Sequence, residues 1–357
     1  MAPPDIRFVH APDGARLAYS VSGAGARVVI KAGMWLSHIE FDSTNPLNRH
    51  WRDAMEARGR YVRYDARGCG LSDWEPPAID FDAWVDDLAT VADAIGEPPY
   101  TLFGYSQGAG VAIAYAARHP ERVAQLIVYG GFTRGRLARA RTQQERDEAE
   151  TMCRLAELGW AKEDNAYRQF FTTQFLPTGT MEQHQWFNEL QRVSASSANA
   201  VRCMRAFNAM DVTPLLAEVR CPTLVLHAKG DVRVPFAEGA AIAAGIRDAR
   251  FVPIDGVNHV MTADEPGWQQ CLDAIEAFLP RVPSARAAQG FDKLTERQTQ
   301  ILDLLARGFD NAQIAAHLEV ADKTVRNQVS AILDVLGIES RGHLIVRARD
   351  AGFGREP

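Results

Sequence analysis

The stretch that most constrains this chain runs from Tyr100 to Arg118. An apolar run, Tyr100 to Phe103, meets Gly104-Tyr105-Ser106-Gln107-Gly108, and an Ala-rich helical pattern follows from Val111 to Arg118. The order is strand, tight turn and helix, with a serine at the apex. Glycines two positions either side of Ser106 let strand and helix approach closely around a strained turn, which pushes the hydroxyl out above the strand end. Taken alone, the pentapeptide fits an ordinary glycine-rich βα turn equally well. Its meaning depends on partners elsewhere in the chain.

The flanking pattern supplies the setting for those partners. Short apolar runs at Ile6 to His10, Arg16 to Val21, Val28 to Ile30, Tyr61 to Tyr64, Gln125 to Tyr129, Pro222 to His227 and Ala249 to Ile254 read as strands. Helical stretches separate most of them, Asp82 to Ile95 closed by Gly96 being the clearest, and a last one runs from Trp268 to Leu279. Short strands alternating with helices imply a parallel sheet covered on both faces. Between about 132 and 212 the strand signal disappears, which predicts a helical cap over the strand ends. Its aromatics, Phe170, Phe171, Phe175, Trp186, Phe187 and Phe207, suggest together an apolar pocket.

Two late strands end in the groups that Ser106 needs. Asp231 follows Pro222 to His227, and His259 follows Ala249 to Ile254. In the order Ser106, Asp231, His259 they fit a nucleophile, an orienting acid and a general base. His259 would take the Ser106 proton and return it to the leaving group, while Asp231 would fix the imidazole tautomer. The developing oxyanion would be held by the Gln107 backbone N–H and by that of Met34 or Trp35, in the loop after Ile30. Ser37 and His38, further along that loop, either face the pocket or hydrogen-bond within the loop. Tyr105, beside the nucleophile, is expected in the pocket wall.

Residues 5–280 resemble the α/β-hydrolase family on these motifs together. Asp65-Ala66-Arg67-Gly68-Cys69-Gly70-Leu71-Ser72 resembles the family's Asp-x-Arg-Gly-x-Gly-x-Ser stretch, and His119-Pro120-Glu121-Arg122-Val123 resembles the segment after its nucleophile helix. Pro222-Thr223-Leu224-Val225-Leu226-His227 looks like its acid-bearing strand. One departure is Ala32-Gly33 where the family usually has His-Gly.

Beyond it the character changes. Pro280 to Gly290 is rich in Pro, Ala, Ser and Arg without apolar periodicity, so 281–290 reads as a linker between domains at 1–280 and 291–357. Thr295-Glu296-Arg297-Gln298 and Asp310-Asn311-Ala312-Gln313 are capping boxes opening two short helices. Asp322 reads as N-cap of a third, with Val325, Val329, Ile332, Leu333 and Leu336 as its apolar stripe and Gly337 at its end. Its other face carries Lys323, Thr324, Arg326, Asn327, Gln328 and Ser330, side chains that reach base edges and phosphates. Pattern alone leaves a solvated face of a small bundle equally open. Charge does not decide it, since residues 291–357 hold nine Lys and Arg against ten Asp and Glu, a net of −1. Leu294-Thr295-Glu296-Arg297-Gln298, Asn311-Ala312-Gln313-Ile314-Ala315 and Lys323-Thr324-Val325-Arg326-Asn327-Gln328-Val329 resemble the LuxR-type (GerE-like) DNA-binding domain. The resemblance implies that the helix from Lys323 enters the major groove of double-stranded DNA and that the last helix, Gly342 to Ala351, supports a homodimer. Val335 beside Asp334, and Gln328, depart from basic and histidine residues common there.

The fold expected is therefore α/β, an α/β-hydrolase parallel-sheet core with helical cap, plus a small all-α helix-turn-helix domain. No apolar run reaches membrane length, the first residues lack the charge and apolar run of an export signal, and the net charge is −6. Five scattered cysteines, without metal-ligand spacing, suit reduced thiols in a cytoplasm, so neither metal nor cofactor is expected. The function expected is a transcription regulator sensing a small apolar or ester-like ligand at a retained Ser-His-Asp site. The alternative is an active esterase or lactonase whose C-terminal domain serves mainly dimerisation.

Overall fold

The computed structural model describes residues 4–96, 98–279, 290–351 and 353–354. The chain divides into two compact units, Ala2–Arg281 and Val282–Pro357. The expected linker at 281–290 lies, but for Gly290, outside the described residues.

The first unit is built on eight strands: β1 (Ile6–His10), β2 (Arg16–Ser22), β3 (Val28–Lys31), β4 (Arg60–Tyr64), β5 (Tyr100–Tyr105), β6 (Val123–Tyr129), β7 (Thr223–Ala228) and β8 (Ala249–Ile254). They form one sheet in the order β1-β2-β4-β3-β5-β6-β7-β8. From β4 to β8 along that order every pairing is parallel. The β1 and β2 pair adds an antiparallel edge. The cause is local: Pro12-Asp13-Gly14 turns the chain straight back, with Gly14 at φ 92° and its N–H donating to Ala11 O at 2.8 Å.

Helices α1 (Ile39–Thr44) and α2 (Arg49–Glu56) lie between β3 and β4, α3 (Phe81–Ile95) before β5, and α4 (Gln107–Arg118) after it. The cap supplies α5 (Arg136–Arg139), α6 (Gln143–Gly159), α7 (Ala166–Phe175), α8 (Met181–Ser194) and α9 (Ser197–Ala209); α10 (Phe236–Gly245) and α11 (Pro266–Phe278) flank β8. Strand side chains alternate between two cores. Leu102, Leu126, Val128 and Val225 face one that includes α3, α4 and α10. Phe103, Tyr105, Ile127, Tyr129, Leu224 and Leu226 face another, against Trp51, Met55, Trp268 and Ile275 of α2 and α11. Burial on both faces explains why these strands read as continuous apolar runs.

Strand order also decides where a site can form. From β3 the chain steps outward to β4, then crosses back over to β5 on the other flank of β3. Connections leaving β3 and β5 therefore diverge and open a crevice beyond their C-terminal ends. The cap enters and leaves beside that crevice. Its two ends are zipped together by Gly135 N–H donating to Met210 O at 2.8 Å and Val212 N–H to Thr133 O at 2.9 Å.

Residues 65–72 hold the crevice together. The Asp65 carboxylate accepts from Ile39 N at 3.1 Å and Leu71 N at 2.9 Å, tying the loop after β3 to the loop after β4. Ser72 Oγ donates to Asp65 O at 2.6 Å and accepts from Ala18 N at 2.9 Å. A side chain at Gly70, where φ is 54°, would collide with that carboxylate. Arg67 is 1% exposed and donates to Asp87 at 2.9 and 2.6 Å and to Asp13 at 2.6 Å.

The second unit contains α12 (Glu296–Ala306), α13 (Asn311–His317), α14 (Asp322–Leu336) and α15 (Arg341–Asp350) around Ile301, Leu302, Leu305, Ile314, Val325, Val329, Ile332 and Leu344. Both capping boxes form, at Thr295 with Gln298 and at Asp310 with Gln313. Gly337 ends α14 in the left-handed region at φ 61°. The expected cap of α14 is displaced by one residue. Ala321 is the N-cap and makes no side-chain bond, while Asp322 lies inside the first turn and pairs with Arg326, where a carboxylate still suits the helix dipole.

Replacing Arg67 by Gln leaves the Asp87 carboxylate, 0% exposed, without its cation. Loss of one partner of such a buried pair costs about 3–5 kcal/mol. Urea unfolding of the first unit, followed by tryptophan fluorescence, is expected to show a loss of that size.

Candidate active site

Ser106 sits between the end of β5 and the start of α4 at φ 53°, ψ −123°. A non-glycine residue at positive φ is strained by about 1–3 kcal/mol and persists only where its surroundings enforce it. Here Ser106 N–H donates to Tyr129 O of β6 at 2.9 Å. The flanking glycines are needed for space. A Cβ on Gly104 would come 2.6 Å from Ala109 Cα, and one on Gly108 would come 3.0 Å from Ala32 O. The first keeps β5 against α4; the second keeps the loop after β3 against the same helix.

His259 is fully buried. Its Nε2 lies 2.8 Å from Ser106 Oγ and its Nδ1 lies 2.6 Å from Asp231 Oδ2. An ionised Asp231 makes Nδ1 the donor, which leaves Nε2 to accept from the serine hydroxyl. The other carboxylate oxygen of Asp231 accepts from Arg233 N at 2.8 Å and Val234 N at 2.9 Å. Burial pushes the Asp231 carboxyl up, but the charge and hydrogen bond of His259 and the backbone donors outweigh it, so the group is held below its usual range. Beside His259, Gly130 at φ 58° leaves room that a Cβ would take, 3.1 Å from the ring.

Ser106 opens on a small cavity bounded by Trp35, Gln107, Phe132, Phe175, Phe207, Asn208 and Val234, and by three arginines, Arg136, Arg139 and Arg233. Two of the cap aromatics thus reach it. The other four do not: Phe187 borders a second cavity, Phe171 packs on Trp160, Trp186 packs on Phe41, and Phe170 is exposed. An apolar pocket was expected, and the wall is instead aromatic and cationic. The arginines went unread because Arg136 and Arg139 lie in a stretch that reads simply as polar, and Arg233 looks like a turn residue. The available signal was a run of basic residues, Arg134, Arg136, Arg139 and Arg141, at the entrance to the cap.

The oxyanion candidates divide. Gln107 opens α4, so its N–H has no intrahelical acceptor, and both Gln107 and Trp35 border the cavity. Trp35 N–H meanwhile donates to the Gln107 side chain, to Oε1 at 3.3 Å. The Met34 side chain borders the second cavity, which shares no lining residue with the first. Tyr105 is on that second cavity too, its hydroxyl donating to His259 O at 3.1 Å. Ser37 and His38 are on neither. Ser37 is buried, and His38 caps α1, its Nδ1 accepting from Phe41 N at 3.3 Å. The β3 connection turns into α1 immediately after Trp35 and Leu36, which carries both side chains away from the serine.

On α14, Lys323, Thr324, Arg326, Asn327 and Ser330 are exposed, away from the buried Val325, Val329 and Ile332, and half-buried Gln328 lies at the edge of that stripe. One face of the helix is therefore free to lie against a partner while the other holds the core.

A family model described as the alpha/beta hydrolase family matches residues 21–268. The chain belongs to the α/β-hydrolase family. A second model, bacterial regulatory proteins of the luxR family (GerE), matches residues 292–348. AB hydrolase superfamily protein YisY of Bacillus subtilis is 29% identical over 250 residues, 66% of this chain and 86% of its own. A non-heme haloperoxidase of Rhodococcus erythropolis is 26% identical over 264 residues, 71% and 93% of the two chains. Among solved structures, an esterase from Exiguobacterium antarcticum superposes with a TM-score of 0.65 at 23% identity, covering 76% of this chain and 98% of its own, a likeness of fold. A hydrolase-like domain joined to a LuxR-type helix-turn-helix makes this α/β-hydrolase family member a DNA-binding regulator with a hydrolase-like sensing domain. No helix among the described residues is long and apolar enough to cross a membrane.

The loop that carries His259 is anchored by a second histidine. His50 Nε2 donates to Met261 O at 3.0 Å, and its ring packs 4.4 Å from that of Trp268. Burial lowers the His50 pKa to about 4. A histidine lowered from 6.5 favours the folded state fully above pH 6.5 and loses that contribution as pH falls toward 4. Between pH 7.5 and pH 5 the unprotonated requirement costs about 2 kcal/mol. Unfolding free energies from urea titrations at the two pH values are expected to separate by that much more in the wild type than in His50→Gln.

Proposed function

We propose that the protein is a transcription regulator whose hydrolase-like domain retains working acyl-transfer chemistry, so that the molecule it senses is also one it cleaves. The observation that carries this reading is the unbroken hydrogen-bond chain from Ser106 through His259 to Asp231, with the serine hydroxyl facing a cavity. Ser106 Oγ attacks an ester or lactone carbonyl as His259 Nε2 accepts its proton; Asp231 stabilises the imidazolium through Nδ1. The tetrahedral oxyanion is held by the Gln107 N–H and by the Trp35 N–H once the Gln107 side chain releases it. His259 returns the proton to the leaving oxygen, and the resulting acyl-serine is hydrolysed by a water that His259 deprotonates in turn. No metal or redox step is required.

The second unit supplies the output. Lys323 and Arg326 neutralise phosphates of double-stranded DNA, and Asn327, Gln328, Thr324 and Ser330 meet base edges in the major groove, within a homodimer closed through the last helix. The protein works where the chromosome is, in the cytoplasm. Ligand binding changes DNA affinity to the extent that the ligand prefers one arrangement of the dimer over the other.

Two measurements test the two halves. Intact mass after treatment with a fluorophosphonate is expected to show one adduct on the wild type and none on Ser106→Ala. An unlabelled wild type removes the hydrolytic reading. For the DNA half, Lys323→Ala and Arg326→Ala are each expected to reduce the slope of log affinity against log salt by about one on every promoter fragment tested. Unchanged slopes remove α14 as the DNA-facing helix.

A further inference from the structure

The cavity at Ser106 is far more cationic than its aromatic rim suggests. Three guanidinium groups border it together with the nucleophile. Arg233 is 8% exposed. Its side chain reaches Gln174 Oε1 at 3.4 Å and lies over the Phe175 ring at 5.0 Å. Arg139 donates to Arg134 O at 3.0 Å. Among the described residues none of the three has a carboxylate within ion-pair distance.

The nearest acids, Glu145, Glu148, Glu238 and Asp231, offset part of that charge from beyond ion-pair distance. Glu238 accepts from Thr133 N at 2.9 Å and Thr133 Oγ at 2.7 Å, and Glu145 closes the capping box of α6 with Thr142. Asp231 spends its two oxygens on His259 and on the turn that follows it. The lining of the cavity is thus one-sided: three cations on one wall with no carboxylate among the lining groups, and neutral aromatic, amide and hydroxyl groups on the others. Burial, then the Arg136 and Arg139 charges, push the Arg233 pKa down to about 9, so the group is still charged near neutrality but unfavourably placed. Burial of an uncompensated cation is costly, and a bound anion relieves it. Guanidinium groups suit a carboxylate because their paired N–H donors match its two oxygens.

We propose that the ligand of this domain is an anionic ester or lactone, a small acyl compound bearing a free carboxylate that Arg136, Arg139 and Arg233 bind while its scissile carbonyl lies at Ser106. This rests on the acyl-transfer reading for the bond broken, but the charge assignment stands on the cavity alone. It replaces the apolar ligand expected from the sequence with one that carries a negative charge. Hydrolysis consumes one water, breaks the acyl–oxygen bond and leaves a second carboxylate. The product therefore carries one more negative charge than the substrate and is held by the same arginines.

The test separates charge from chemistry. Full-length Ser106→Ala is titrated calorimetrically with monomethyl glutarate and, in parallel, with dimethyl glutarate. The wild type is assayed with mono-p-nitrophenyl glutarate against p-nitrophenyl butyrate. The mutant is expected to bind the monoanion at least tenfold more tightly than the diester, and the wild type to favour the charged ester at least tenfold in kcat/KM. Glutarate is expected to inhibit with a Ki below the KM of its monoester. Introducing Arg136→Gln with Arg139→Gln into both proteins is expected to bring each preference to within about threefold of unity, while Arg136→Lys with Arg139→Lys retains most of it. Equal or tighter binding of the diester, or a preference that survives the glutamine pair, overturns the proposal. If the fluorophosphonate leaves the wild type unlabelled and neither ester is cleaved, while Ser106→Ala still prefers the monoanion, the acyl-transfer reading falls and the anion site remains.

Discussion

The backbone at Ser106 sets the terms for the first unit. Holding a serine at φ 53° is paid for by contacts on three sides: the hydrogen bond to Tyr129 of β6, the approach of α4 that Gly104 permits, and the approach of the β3 loop that Gly108 permits. Each neighbour in turn needs its own support. The β3 loop is fixed by the Asp65 carboxylate through Ile39, and β6 is fixed between β5 and β7. Because the sheet order sends the β3 and β5 connections apart, the strained turn stands where they leave room above the strand ends, and the cap closes over it, leaving Ser106 7% exposed. Geometry that costs stability there also aims the hydroxyl at His259 and the cavity.

Legibility in the sequence followed the range of the interactions involved. Ser106 was legible because its turn is encoded within five residues, and Asp231 and His259 because each follows a strand that announces itself by apolar runs. The strand order was not written locally; it enters through the resemblance. The capping boxes at Thr295 and Asp310 were readable because both partners lie within three residues, whereas the start of α14 was misplaced by one. Asp and Ser-like residues serve both as caps and as first-turn residues, and Asp322 pairs with Arg326 instead of capping. Ser37, His38 and Tyr105 were assigned by nearness in sequence to the oxyanion loop or nucleophile. A one-residue step along a strand or loop reverses a side chain's direction, so nearness in sequence gave no information about which cavity each would face.

The arginines show the same limit in the other direction. Arg136, Arg139 and Arg233 are separated by almost a hundred residues of chain, and a basic residue at a cap entrance ordinarily reads as a solvated one. What places them together is the bridge between Arg134 and Asp211, which pins the short helix α5 beside the cavity, and the turn after Asp231, whose backbone donors bind the acid while the Arg233 side chain reaches inward. The residue that holds His259 through Nδ1 thus also fixes, through its other oxygen, the turn that carries a cation of the wall. On the proposed reading, chemistry and recognition would be coupled through one carboxylate.

That coupling bears on how a cleaving sensor would hold its signal. A ligand shifts a two-state equilibrium only by its difference in affinity for the two states, so a domain that destroys its ligand would lose the signal at the rate of turnover unless the product also binds. In an apolar cavity, hydrolysis converts a neutral ester into an anion that is repelled into water, and occupancy ends with the reaction. On the proposed reading, three guanidinium groups would reverse that balance: the reaction would add a negative charge beside a cationic wall, and the product would be held instead of expelled. A sensor built this way would stay occupied after its substrate is gone, with the acid, not the ester, setting the population of the DNA-binding form.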